Sequence, residues 1–282
     1  MVQATTLSVV MTDFTGERIE ISSTARIVTL GSSLTEIVYA LNAQQRLVAV
    51  DATSNFPLET KNLMQLPSAR SATLEGVLNA KPSLVLTLDT ALPETIQGLR
   101  KFNIPTVVIS AKENLENSQN KIRFVAQALS LETRGLELIR NYQKDLALAK
   151  SLYSSIRNRP KVMFLYSGSG GKITVSGRDT AADAVIKLAG GTNPFQSYTG
   201  YAPLSQEATI LANPDIILMT SLGYSGAGET QGLLRLPGLA NTKAGRNKNF
   251  LHFEGNYLLG FGPRIGQAVL ELMYAIHPEL KK

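Results

Sequence analysis

Leu7, Val9 and Met11 recur at every second position, Thr15-Gly16-Glu17 interrupts, and Ile19 and Ile21 resume the alternation. A period of two with a Gly-centred break predicts a β-hairpin. Residues 26–30 (RIVTL) are a short apolar run ending in Gly31-Ser32-Ser33, after which Ile37, Val38 and Leu41 recur at helical spacing. This reads as a strand, a turn and a helix capped by Ser32 or Ser33. Runs at 47–51 (LVAVD), 83–88 (SLVLTL) and 105–110 (PTVVIS) predict three more strands. The nearly unbroken apolar character of 83–88 predicts burial on both faces. Asn55-Phe56-Pro57 opens a loop that runs to about residue 73. A short helix starts at Glu75 and ends before Pro82, and another covers residues 93–102.

The pattern changes at residues 112–157, where Gly135 is the one Gly or Pro. Ile122, Val125, Ala126 and Leu129 fit helical spacing, as do Leu136, Ile139, Tyr142, Leu146, Ala149 and Leu152. This predicts two helices broken near Ser130-Leu131, the second of about 25 residues and about 37 Å. Alternation returns with KVMFLY (161–166), a Gly-rich turn, TVSG and the helix TAADAVIKLAG. A helix at Glu207, the strand DIILMT (215–220), a Gly-rich loop (223–231), the strand NFLHF (249–253) and a helix over 263–276 complete the chain. Strands alternating with helices predict an α/β fold of two Rossmann-like lobes with parallel sheets, joined by one long helix. The expected boundaries are 1–131, 132–158 for the bridging helix, and 159–282.

Composition narrows the chemistry. The 282 residues are 44% hydrophobic and 18% charged, as in globular domains, and no apolar run approaches the roughly 20 residues of a membrane helix. Cysteine is absent, which removes disulfides, thiolate metal sites and a Cys nucleophile. The net charge of +6 is scattered rather than striped, which argues against nucleic-acid binding. The first residues lack the basic and apolar regions of a secretion signal. There is no Gly-x-Ser-x-Gly elbow, no His-Glu-x-x-His and no dinucleotide fingerprint, which leaves an enzyme less favoured than a binder. GSGGK at 168–172 lacks the phosphate-loop frame, since Ile173 follows Lys172.

One phrase occurs twice. EGVLNAKPSLVL from Glu75 and EATILANPDIIL from Glu207 align without a gap: Glu75/Glu207, Leu78/Ile210, Ala80/Ala212, Pro82/Pro214 and Leu86/Leu218. The apolar positions are core in any α/β protein. The glutamates are not required by strand packing; each either complements a helix dipole or serves a partner.

Two α/β lobes, a long helix and this doubled phrase resemble the helical-backbone class of ABC-transporter substrate-binding proteins, which serves cobalamin, ferric siderophores and heme. RIVTLGSSLTEIVYALNAQQRLVAVD, SGRDTAADAVIKLAGGTN, GYAPLSQEATILANPDIIL and FGPRIGQAVLEL are most similar to its heme-uptake branch. The resemblance implies a ligand cleft between the lobes and a periplasmic or surface-tethered monomer. It also implies delivery of cargo to a permease dimer powered by a separate ATPase. It places the two permease-docking acids at Glu75 and Glu207. Heme is the implied cargo, with a ferric siderophore or cobalamin as the alternative and no catalytic cofactor. A ligand sensor would use the same cleft. The branch carries an iron-ligating Tyr two residues before an Arg; Arg70 matches the Arg, but Ser68 stands at the Tyr position.

Either the other lobe supplies a ligand, or the chain binds heme weakly, or it binds another cargo. Phenolate and imidazole suit ferric iron. His277 ends the last helix as a helix-terminal or surface residue, and His252 alternates with Leu251 and Phe253 as a satisfied strand residue. The second-lobe tyrosines are the better candidates: Tyr198 and Tyr201 in a Gly-containing loop, Tyr166 at a strand end, Tyr224 in a Gly-rich loop, and Tyr257. Tyr201 is the first choice as iron ligand. Arg70 and Arg178 suit propionate or another carboxylate through bidentate hydrogen bonds, although Arg178 also suits positioning the turn with Asp179; Ser32, Ser33 and Thr35 on the first strand-to-helix turn suit an anionic ligand group, and Ser68 completes the ligand-binding candidates.

Overall fold

The computed structural model describes residues 8–167 and 172–281. The chain divides into two compact units, the first ending at Asn141 and the second beginning at Tyr142.

The first unit opens with the expected hairpin, β1 (Val9–Thr12) antiparallel to β2 (Arg18–Ile21). Met11, Ile19 and Ile21 are buried, while Leu7 lies outside the described residues. Asp13 fixes the turn, its Oδ1 accepting from the N–H groups of Thr15 and Glu17 and from the Thr15 hydroxyl. Its Oδ2 accepts from Arg100 at 2.7 Å and from the N–H of Val108 at 3.1 Å, which ties the hairpin to the main sheet.

That sheet comprises β3 (Ile27–Leu30), β4 (Leu47–Asp51), β5 (Met64–Leu66), β6 (Leu84–Leu88) and β7 (Thr106–Ile109). Its order is β5-β4-β3-β6-β7 and every pair is parallel. Helices α1 (Ser32–Ala40), α2 (Leu74–Asn79) and α3 (Pro93–Lys101) make crossovers between strands, and α4 (Leu115–Ala128) follows β7. β3 and β7 are buried at every position, which is why they read as apolar runs rather than alternations. β5 corrects the expected loop over 55–73. It is a three-residue edge strand with Met64 and Gln65 exposed, too short and too exposed to leave a periodic signal.

The chain then reverses at Ser130, φ 56°, into α5 (Glu132–Leu152). Its 21 residues give a length of about 32 Å, shorter than expected. The last turn tightens into a 3-10 helix at Tyr153–Ser155, where the Tyr153 hydroxyl donates to the carbonyl of Leu188 at 2.7 Å. Gly135 has a packing reason. A Cβ there would lie 2.5 Å from the Ala126 Cβ, so only glycine lets α5 run this close to α4.

The second unit holds β8 (Val162–Ser167), β9 (Ile173–Ser176), β10 (Tyr201–Pro203), β11 (Ile216–Thr220) and β12 (Phe250–Phe253), in the order β10-β9-β8-β11-β12. β8, β11 and β12 are parallel; β9 runs antiparallel to β8 and β10 antiparallel to β9. This sheet is therefore mixed rather than parallel. The five residues between β8 and β9 are far short of the dozen or so a parallel crossover needs. Four of them, Gly168 to Gly171 of the GSGGK turn, lie outside the described residues.

Among the described residues, seven α-helices follow α5 in this unit. They are α6 (Ala181–Leu188), α7 (Gln206–Ala212), α8 (Ser221–Gly226), α9 (Glu229–Leu233), α10 (Lys243–Asn247), α11 (Gly255–Leu259) and α12 (Ile265–Ile276). The expected loop at 223–231 is instead α8 and α9. The Thr220 hydroxyl caps α8 by accepting from the N–H of Gly223, and buried Leu233 anchors α9, so its glycines do not prevent helix. His277, expected as a helix-terminal or surface residue, is the C-terminal cap position of α12 and is 1% exposed, with its N–H bonded to Met273 and Nδ1 3.4 Å from Glu279.

Candidate functional site

Parallel strands expose their functional turns at their carboxyl ends. In the first unit the turn after β3 depends on Gly31. It sits at φ 136°, and a Cβ there would lie 2.8 Å from Leu88 Cδ1. Gly31 itself precedes α1, with no side-chain cap, which corrects the expected Ser32 or Ser33 cap. Ser33 is buried and Ser32 half-buried. Beneath them runs a hydroxyl chain: Thr35 bonds Thr29 and Ser54 at 2.7 Å each, and Ser54 donates to Asp51 at 2.9 Å.

Asp51, the last residue of β4, joins two turns. Its carboxylate accepts from the N–H of Ala69 at 3.2 Å and from the backbone of Gly31. Burial pushes its pKa up, opposed by bonds from Thr53, Ser54, Ala69 and Gly31. The carboxylate thus holds the Gly31 turn beside Ser68 and Arg70. Ser68 is half-buried with its hydroxyl 3.1 Å from that of Ser71, and Arg70 is exposed. The sequence reading missed Asp51; an acid closing an otherwise apolar strand was the available signal.

Lys121 on α4 lies 2% exposed, and burial lowers its pKa to about 8 against the pull of Glu113 and Asp89. An unfolded lysine titrates at about 10.4. Between these values the folded chain binds fewer protons than the unfolded one. Stability therefore rises with pH through that window, by about 3 kcal/mol in all. Urea titrations from pH 7.5 to 10.5 are expected to show this climb for the native chain and not for Lys121→Met. Parallel curves for both would disprove it.

In the second unit Tyr166 and Tyr201 form a pair. Their ring centroids are 5.7 Å apart at 53°, and the residues are 45% and 44% exposed. The register explains the pairing: Tyr166 faces Thr174, Tyr201 faces Ser176, and positions two apart on a strand share a face. Tyr201 is the first residue of β10 rather than part of a loop. Tyr198 turns inward instead. Its ring packs 6.3 Å from Phe195, its hydroxyl donates to the Val175 carbonyl, and burial pushes its phenol up. Tyr257, on α11, lies under the Arg264 guanidinium at 4.8 Å. Burial and then Glu271 hold its phenol well above the ordinary range, which disfavours a phenolate.

Arg178 is exposed. Its backbone donates to Tyr198 and accepts from Gly200, so the main chain fixes the loop and leaves the guanidinium outward. Tyr224 is on α8, its hydroxyl 2.8 Å from Thr230, and its ring stacks on His252 at 4.5 Å and 14°. His252 is exposed near the carboxyl end of β12 and, as expected of a satisfied strand residue, has its Nδ1 3.2 Å from the Ser221 hydroxyl.

The doubled phrase occupies equivalent places. Glu75 lies in the first turn of α2, capped by the Thr73 hydroxyl; Glu207 lies in the first turn of α7, capped by the Ser205 hydroxyl. Both glutamates are exposed. Backbone and Ser205 hydrogen bonds hold the Glu207 carboxyl below its usual pKa. Each helix leads into the fourth strand of its sheet, β6 or β11.

Two α/β units, each with hydroxyl, aromatic or cationic groups along the carboxyl edge of its sheet, and one long helix running from the first into the second, define a two-lobed solute-binding protein. The chain belongs to the periplasmic binding protein family, whose model matches residues 27–257. This is a family of transport components rather than catalysts. Among solved structures the chain is similar to the periplasmic heme-binding protein RhuT from Roseiflexus sp. RS-1, at 38% identity and TM-score 0.87, covering 91% of this chain and 99% of that one. It is 26% identical to the vitamin B12-binding protein of Vibrio parahaemolyticus, over 88% of this chain and 87% of that protein. It is 23% identical to the ABC transporter substrate-binding lipoprotein YvrC of Bacillus subtilis, over 91% and 81%.

Proposed function

We propose that this protein binds heme outside the cytoplasm and delivers it to the permease of an ABC importer, acting as a stoichiometric carrier without turnover. The observation that carries the reading is the exposed Tyr166–Tyr201 pair, on a chain 38% identical to a heme-binding protein. Large exposed rings at a strand edge suit a flat aromatic macrocycle, which gains by stacking on them. Arg178 suits a propionate through paired N–H donors. Arg70, Ser32, Ser33 and Ser68 offer the same kind of carboxylate partners on the first unit. Glu75 and Glu207 are the docking acids, one per unit. Tyr198, Tyr224 and Tyr257 support the surface rather than ligate iron.

A corrinoid or ferric siderophore is the second reading. It is favoured by Ser68, which offers no phenolate to iron, and by the similarity to a B12-binding protein. Titration with hemin separates the two. A saturable Soret change is expected, with affinity falling about 30-fold when Tyr166 and Tyr201 are both changed to Ala, from about 1 kcal/mol lost per ring. Saturable binding of cyanocobalamin with no response to hemin would replace heme with a corrinoid.

A further inference from the structure

We infer that Leu211 on α7 is an apolar anchor that seats the second unit on the permease beside Glu207, a contact the first unit does not make; the inference rests on the docking reading of Glu75 and Glu207. The two docking helices share one scaffold. Each is capped by a hydroxyl, Thr73 on α2 and Ser205 on α7. Each ends in a carbonyl held by a cation that precedes the first strand of its sheet: Arg26 Nη2 donates to Ala80 at 2.7 Å, and Lys161 Nζ donates to Ala212 at 3.2 Å. Ala80 and Ala212 are equivalent positions of the doubled phrase. The next residues, Lys81 and Asn213, turn the chain with left-handed backbones at φ 49° and φ 42°.

The outer faces differ. Four positions after its glutamate, α2 carries Asn79 and α7 carries Leu211, both exposed. Leu211 is 86% exposed and Ile210 beside it 42%, whereas Leu78, aligned with Ile210, is half-buried. Gly238 brings the chain against α7 on another side: a Cβ there would lie 2.7 Å from the Gln206 carbonyl oxygen and 3.1 Å from Ile210 Cγ1. Leu211 is left to solvent. The scaffold does not require leucine at this position, because the same scaffold carries asparagine in the first unit. A leucine in water adds nothing to folding and gains free energy only when something covers it. Its position says what covers it. Residues four apart share a helix face, with Cβ atoms about 6 Å apart, so a permease surface that presents a cation to Glu207 also meets Leu211. The partner that fits is a permease face with an apolar recess within one helical turn of that cation. The two contacts then divide the work: the exposed acid steers encounter, and the buried leucine slows release.

The test is surface plasmon resonance of the full chain on the importer's permease–ATPase complex in nanodiscs, at low and high salt. Leu211→Asn, which copies the first unit, is expected to weaken docking about 10-fold through faster dissociation, by the same factor at both salt concentrations. Cargo affinity should stay native, which also shows that the variant is folded. Leu211→Met should keep most of the native docking, and Asn79→Leu should not weaken it. Glu207→Lys should weaken docking by a factor that shrinks as salt rises. Native docking by Leu211→Asn alongside impaired docking by Glu207→Lys overturns the anchor and leaves the docking reading standing. A Leu211→Asn loss that fades with salt overturns the apolar contact in the same way. Native docking by both variants overturns the anchor and the docking reading together.

Discussion

Changing both Glu75 and Glu207 to lysine is expected to reduce permease-dependent uptake to background while leaving cargo affinity unchanged. Each glutamate is exposed in the first turn of a capped short helix, where it makes no contribution to the core. The caps are Thr73 and Ser205, so the helices survive the substitutions; loss of a first-turn acid costs about 0.3–1 kcal/mol. The effect on docking is far larger. An acid facing a cationic partner steers encounter, and a reversed charge in the same place repels, at several kcal/mol per site. A single reversal should weaken transport by at least about 10-fold, and the double reversal should remove it. Vesicles containing permease and ATPase, supplied with the same protein preparation used for cargo titration, give both readouts. Native transport rates with the double variant would refute the docking assignment.

Asp13→Ala is expected to destabilise the first unit by about 3–5 kcal/mol, the range for removing one partner of a buried ion pair. The Asp13 side chain is fully buried, and Arg100 is 26% exposed. The carboxylate accepts five hydrogen bonds, from two groups of Thr15 and from Glu17, Arg100 and Val108. Alanine leaves the N–H of Val108 buried without a partner and detaches the hairpin from β7. Two units need not unfold together, so the effect should appear in one of two transitions. Urea unfolding followed by hydrogen exchange would locate it. A shift below about 1 kcal/mol would mean that water replaces the carboxylate at this site.

Much of the architecture was readable because the sheets are covered on both faces. β6, β8 and β11 are apolar at nearly every position. The hairpin was readable for the opposite reason: one face is wet, so Met11, Ile19 and Ile21 alternate with polar neighbours. What escaped lay where local chemistry carries no period. β5 has a single buried residue. α8 and α9 are glycine-rich helices stabilised by a threonine cap and one leucine, signals that also fit a loop. The serines after Gly31 look like caps, but the constraint there is steric: contact with Leu88 demands a glycine before the helix.

For the site, chemistry was legible and placement was not. Tyr166 was recognised because it closes an apolar run. Tyr201 was recognised as an aromatic, but its partnership with Tyr166 depends on β9 lying between their strands. His252 was read as a satisfied strand residue, and Ser221 does engage its Nδ1, but strand alternation does not tell where along the sheet a face becomes exposed. Asp51 was passed over for a similar reason, since its two backbone partners are 20 and 18 positions away in the chain.

If Glu75 and Glu207 dock as proposed, the equivalent slots of β6 and β11 make each glutamate an address owned by its own half of the molecule. Its position is set by one helix and one strand, not by how the halves are arranged. Cargo pockets can therefore be remodelled by changing the turns at the sheet edge without rewriting the address. On that reading, the part that chooses the freight and the part that finds the dock are set by different segments of each unit.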